Sequence, residues 1–71
     1  MEVDNMEIWK LTEDTELLTG KKYKKGTKFF LTKTVDNLGF YFSLDGSDKT
    51  DLVVDYATLK QLLAYCGNTD N

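Results

Sequence analysis

Apolar and polar residues alternate along most of this chain, and a longer period replaces the alternation only near its end. Glu7 to Thr12 predicts a first strand, with Trp9 and Leu11 on one face and Ile8 on the other. Glu13 to Glu16 predicts a turn, or one short helical turn, leading into Leu17-Leu18; Thr19-Gly20 closes that segment. Lys21 to Lys24 predicts a short, very basic strand, and in Lys25-Gly26 the glycine can take the positive φ of a tight turn. Lys28 to Val35 is the clearest strand, with Phe29, Leu31 and Val35 on one face and Phe30, Thr32 and Thr34 on the other. Asp36 to Gly39 has turn chemistry, and Phe40 to Leu44 returns as the hairpin partner, pointing Phe40, Phe42 and Leu44 one way. Asp45 to Lys49 forms a second polar turn before a last short strand at Leu52 to Val54.

From Tyr56 to Cys66 the period changes. Tyr56, Leu59, Leu62, Leu63 and Cys66 recur at three- and four-residue steps, which predicts a helix with an apolar stripe. Asp55 suits its N-cap, and Gly67-Asn68 its C-terminal stop. The order predicts an α+β, mainly β fold: a small antiparallel sheet, or an SH3-like half-barrel, of four or five short strands with one C-terminal helix. Residues 1–71 form a single domain, with 1–5 and 68–71 as frayed tails.

Composition narrows the chemistry. The 71 residues carry 12 acidic and 9 basic side chains, a net charge of −3, and every cation is Lys. Without His or Arg there is no imidazole acid/base catalysis, no His metal ligation and no bidentate guanidinium clamp. The lone Cys66 cannot close an internal disulfide or build a zinc site; it fits a reducing compartment and a place in the core of the helix. The acidic, broken N-terminus is no secretory signal, and the longest apolar runs fall far short of a membrane span. A cytoplasmic protein is expected, without membrane contact or cofactor. The absence of Arg and Pro suggests an AT-rich coding sequence of phage or mobile-element type, which would place the protein in the host cytoplasm.

Two surfaces stand out. Residues 21–33 hold six lysines, and no acidic residue lies between Leu17 and Val35. Lys21, Lys22, Lys24, Lys25 and Lys28, with Tyr23 and Phe30 among them, form the first candidate binding surface. It suits an anionic protein partner, or nucleic acid if the lysines hold phosphates while the rings stack on bases. Lysines on a sheet edge also discourage edge-to-edge pairing, which needs no partner at all. The second candidate is the acidic turn of Asp45, Asp48 and Asp51. It lacks the alternate ligands and closing Glu of an EF-hand loop, so a solvated turn or an acidic contact patch is expected rather than a metal site. Lys49-Thr50 lacks the preceding glycine of a phosphate-binding loop. Nine aromatic side chains exceed what so small a core needs, so some of Tyr23, Tyr41, Tyr65 and Phe30 should be partly exposed and available for contact.

No catalytic constellation is visible. The expectation is a non-enzymatic protein-binding module, an inhibitor or modulator of a larger host protein. The alternatives are a nucleic-acid-binding module using the hairpin of residues 21–33, and a structural component of an assembly. Whether the chain acts as monomer or homodimer is not written in the sequence.

Overall fold

A computed structural model describes residues 6–36 and 38–69. Seven strands and one helix follow in the order β1 (Glu7–Leu11), β2 (Thr15–Glu16), β3 (Lys22–Tyr23), β4 (Lys28–Val35), β5 (Gly39–Ser43), β6 (Leu52–Val54), α1 (Tyr56–Leu62) and β7 (Leu63–Asn68). Five strands form one antiparallel sheet in the order β6-β5-β4-β1-β7, while β2 and β3 make a separate two-stranded ribbon. The fold is therefore α+β and mainly β. No helix among the described residues is long and apolar enough to cross a membrane.

The β4–β5 hairpin is the centre of the molecule. Leu31 lies opposite Phe42 and Thr34 opposite Phe40, and on β1 Trp9 lies opposite Phe29. Phe29 and Phe42 are fully buried and meet edge to face, 6.2 Å between centroids. Large side chains paired on one face of neighbouring strands fix the register, because a one-residue slip would turn them all outward. Leu11, Phe40, Leu52, Val54, Leu59 and Leu63 complete the buried cluster, with Trp9, Leu17, Tyr23, Leu31 and Leu62 packed against it.

Leu52 to Val54 on one edge strand and Leu63 on the other line one cleft of about 350 Å³, together with Leu11 of β1 and Leu62 of the helix. Helix α1 runs between those edges. Asp55 caps its start by accepting the Thr58 N–H at 2.8 Å, and that bond holds the Asp55 carboxyl below its ordinary pKa. The cap's contribution is complete above the ordinary carboxylate value and fades as pH falls through the lowered one. At the other end the Thr12 N–H and hydroxyl both donate to the Leu62 carbonyl, at 2.8 and 3.1 Å, tying the last turn to the end of β1.

Several expectations are corrected. The helix predicted from Tyr56 to Cys66 stops at Leu62; Leu63 turns extended at φ −123°, ψ 146°, with its N–H still bonded to Leu59 O. Leu63 to Asn68 instead pairs with β1, which would otherwise leave a bare edge. Tertiary pairing outweighs the three- and four-residue spacing there, because a short apolar run satisfies strand and helix periods alike. Leu59 and Leu63 are buried, but Tyr56 is half exposed. Cys66 is exposed on β7 rather than in a helix core, beside a break in the β1–β7 register. Asn68 belongs to β7 and the Thr69 N–H bonds to Met6 O, so neither is a frayed tail. The expectations for residues 1–5 and 70–71 lie outside the described residues.

Val35 also leaves the core face. A bulge between Leu31 and Lys33 sets two residues of β4 against one of β5, exchanging the faces beyond it. Leu44, expected to follow Phe40 and Phe42 inward, lies past the end of β5 and is exposed. Thr15-Glu16 is a strand rather than a turn, because it pairs with Lys22-Tyr23.

Candidate functional site

The lysine segment folds as a hairpin stapled to β1. Thr27 donates its N–H to Lys24 O at 3.0 Å, and Gly26 at φ +91° takes the third position of this tight turn. The Gly26 N–H bonds to Leu11 O and the Leu11 N–H to Thr27 O, both at 2.9 Å. The Asp14 carboxylate accepts the Lys25 N–H at 2.8 Å. At the far tip the Leu17 N–H bonds to Lys21 O at 2.8 Å, and the Gly20 N–H to Leu17 O at 2.9 Å. That closed tip leaves Leu18 projecting with no cover at all.

Lys21, Lys22, Lys24, Lys25 and Lys28 are all exposed, as the sequence suggests. None of them is in an ion pair among the described residues; the pair there is Lys49 with Asp51, at 3.9 Å. The single-sign character of the segment does not survive folding, however. Pairing of β2 with β3 sets Glu16 directly opposite Lys22, and a shallow cleft is lined by Asp14, Glu16, Lys22 and Lys24 together. Opposite charges facing each other across a ladder are mutually favourable. The hairpin is thus a lysine-rich surface with acidic neighbours, not a uniformly basic one.

Nor do the two aromatic members share a surface. Tyr23 turns inward, its ring edge on Phe29 at 5.2 Å, and its hydroxyl is buried with no hydrogen-bond partner among the described residues. Phe30 lies on the opposite face of β4 from Phe29, paired with Ile8 and Ser43. The chain folds over it there: a methyl group at Gly46 would sit 3.7 Å from the Phe30 ring and 3.8 Å from Met6 Sδ. The interleaving of lysine and ring seen along the sequence is not an interleaving in space.

The fold adds a lysine that sequence spacing does not reveal. Lys10 on β1 lies directly opposite Lys28 on β4, so two cations meet on the outer face of the sheet. Only the cross-strand register shows this. On the same face Lys33 Nζ stands 5.6 Å above the centre of the half-buried Tyr41 ring.

The acidic turn is partly folded inward. The Asp51 side chain is 5% exposed, and its Oδ2 accepts the Leu44 N–H at 2.8 Å. The Asp45 Oδ1 accepts the Ser47 N–H at 3.0 Å, and the Ser47 side chain, followed by that N–H, lowers the Asp45 pKa from its ordinary value. Asp48 is exposed. Two of the three carboxylates are thus occupied in shaping the loop, and among the described residues no three acidic or thiol groups gather as metal ligands.

Sequence reasoning missed a third feature. The tip of the β2–β3 hairpin stands off the edge strand β6, and two clefts of about 460 and 350 Å³ share Leu17, Leu18, Leu52 and Val53. They make one apolar groove, with Val53 half exposed in its wall. The adjacent leucines Leu17-Leu18, set between polar residues, are the only signal of it in the chain. Comparison of the chain with protein-family models, curated proteins and solved structures finds no match.

Proposed function

We propose that this protein is a non-enzymatic protein-binding module, a small modulator or inhibitor of a larger protein, of phage or mobile-element type and acting in the cytoplasm. Its partner presents an acidic surface to the lysine side of the β2–β3 hairpin and to the adjoining turn. The observation that supports this reading is the stapling of that hairpin: five exposed lysines with no ion pair among the described residues ride on a backbone bonded to β1 and to Asp14. A display surface held this firmly loses little conformational entropy on binding. The inward turn of Tyr23 removes one of the two rings that base stacking along the hairpin would use, which favours protein over nucleic acid.

A nucleic-acid reading finds support on another surface. The outer sheet face carries Lys10, Lys28 and Lys33 beside the half-buried Tyr41, a combination able to hold phosphates and stack a base. Affinity capture from host lysate, with and without nuclease, separates the two. A protein recovered after nuclease treatment and lost with Lys22→Glu/Lys24→Glu supports the first reading. Capture that nuclease abolishes, together with salt-sensitive single-strand binding lost in Lys10→Glu/Lys28→Glu, replaces it with the second.

A further inference from the structure

We infer that a second copy of this chain docks on the groove beside β6, adding its own β6 antiparallel to the first about a two-fold axis at Val53. Among the described residues β6 pairs with β5 alone, which leaves its other side a sheet edge. Such an edge is completed by an extended strand, not by a helix or a small molecule. The groove sets three requirements on that strand. Its backbone must already be extended, its side chain must be apolar to meet Leu18 and Val53, and it must bring an anion to Lys21. At the Asp51 end of the groove Lys21 is the exposed charge, because the Asp51 carboxylate is buried and bonded to Leu44.

The chain carries one element that meets all three. Leu52 to Val54 is an edge strand, Val53 is 50% exposed, and the exposed Asp55 follows directly. Antiparallel pairing about Val53 sets Val53 against Val53 of the second copy and Asp55 of the second copy opposite Asp51, a like-charge pair that weakens the ladder and that Lys21, lining the same end of the groove, offsets. Because the arrangement is two-fold, the same contacts form twice, and each copy's Leu18 covers the other's strand. The opposite sheet edge is less suited. Strand β7 has a register break at Cys66, and a bulge of this kind twists an edge away from regular pairing. Strand β6 carries no bulge, lysine or proline. Three residues make a short ladder, so the association is weak and depends on Leu18 and Val53.

Sedimentation velocity of the full chain in reducing buffer, over roughly 10 µM to 1 mM to match a small interface, tests this. The expected result is a concentration-dependent monomer–dimer equilibrium. Val53→Lys places two cations on the axis and should raise the dissociation constant by about tenfold or more. Lys21→Glu should raise it by a few-fold, and Ala64→Lys on β7 should leave it unchanged. Leu18→Asp alters a side chain that touches nothing in the monomer; it repeats the Val53→Lys result without risk to the fold. Slowed amide exchange of Leu52 to Val54 at high concentration should accompany dimerisation. A chain that remains monomeric over the whole range overturns the inference. So does a dimer indifferent to Val53→Lys and Leu18→Asp, or one abolished by Ala64→Lys.

Discussion

The two hairpins of this molecule are built from the same local signals and do opposite work. In β4–β5, strands of eight and five residues bury Phe29, Phe40 and Phe42 and leave polar groups outside. In β2–β3, two strands of two residues each turn Tyr23 and Leu17 toward the core and leave Leu18, Lys21 and Lys22 in solvent, with Lys24 and Lys25 exposed on the turn that follows. The first is held by buried rings as well as by its ladders, while the second is anchored through the turn that follows it, where Lys25 bonds to Asp14 and Gly26 and Thr27 bond to Leu11 of β1. Most side chains of the short hairpin are therefore free for contact, whereas the inner face of the long one is committed to the core.

Substitutions that strike one hairpin and spare the other sharpen this contrast. Phe42→Ala opens a cavity at the centre of the long hairpin and should cost about 3–5 kcal/mol, read from urea denaturation, enough to leave the chain largely unfolded. Leu59→Ala, beneath the helix, should cost about 2–4 kcal/mol. A near-neutral result would mean that α1 covers the sheet less tightly than its burial implies. In the short hairpin the sensitive position is backbone. Gly26→Ala meets no atom within 4 Å, so its cost is conformational, about 1–2 kcal/mol from φ +91°. Tyr23→Phe removes a buried hydroxyl that has no partner among the described residues and should raise the melting temperature slightly, by about 1 kcal/mol of stability; a loss instead would show that the hydroxyl is bonded. Smallest of all, Lys22→Gln/Lys24→Gln, which removes the charges without setting like charges against Glu16, should change stability by less than about 0.5 kcal/mol while abolishing capture of the partner. A large stability loss there would break the distinction between display and scaffold.

The same contrast explains how much was legible in the sequence. The β4–β5 hairpin could be read directly, since alternating Phe and Leu on both strands, with Asp36 to Gly39 between them, leaves one register that buries the rings. The bulge escaped, and with it the outward turn of Val35, because Thr32 carries no mark of an extra residue; so did the end of β5 at Ser43, which leaves Leu44 outside. The tail of the helix was misread because Leu62, Leu63 and Cys66 fit a helical stripe as well as Leu63 and Tyr65 fit a strand. What decides between them is the vacant side of β1, a neighbour some fifty residues away. The lysine surface was visible as composition, but its acidic neighbour Glu16, its extra member Lys10 and the separation of Tyr23 from Phe30 all depend on cross-strand register. The groove depends on where a two-residue ribbon comes to rest, which no local pattern encodes.

The position of β1 between β4 and β7 also governs the order in which the fold can be assembled. The β4–β5–β6 meander closes over short separations and can form early, whereas pairing of Glu7 with Asn68 spans nearly the whole described chain. Loop-closure entropy therefore delays the last ladder, and an all-antiparallel domain with such a contact folds slowly for its size. On the ribosome the first strand emerges long before its second neighbour exists. Until β7 has been synthesised, Trp9 and Leu11 stand beside an open edge, and in that interval the nascent chain is most exposed to chaperones, proteases and its own copies.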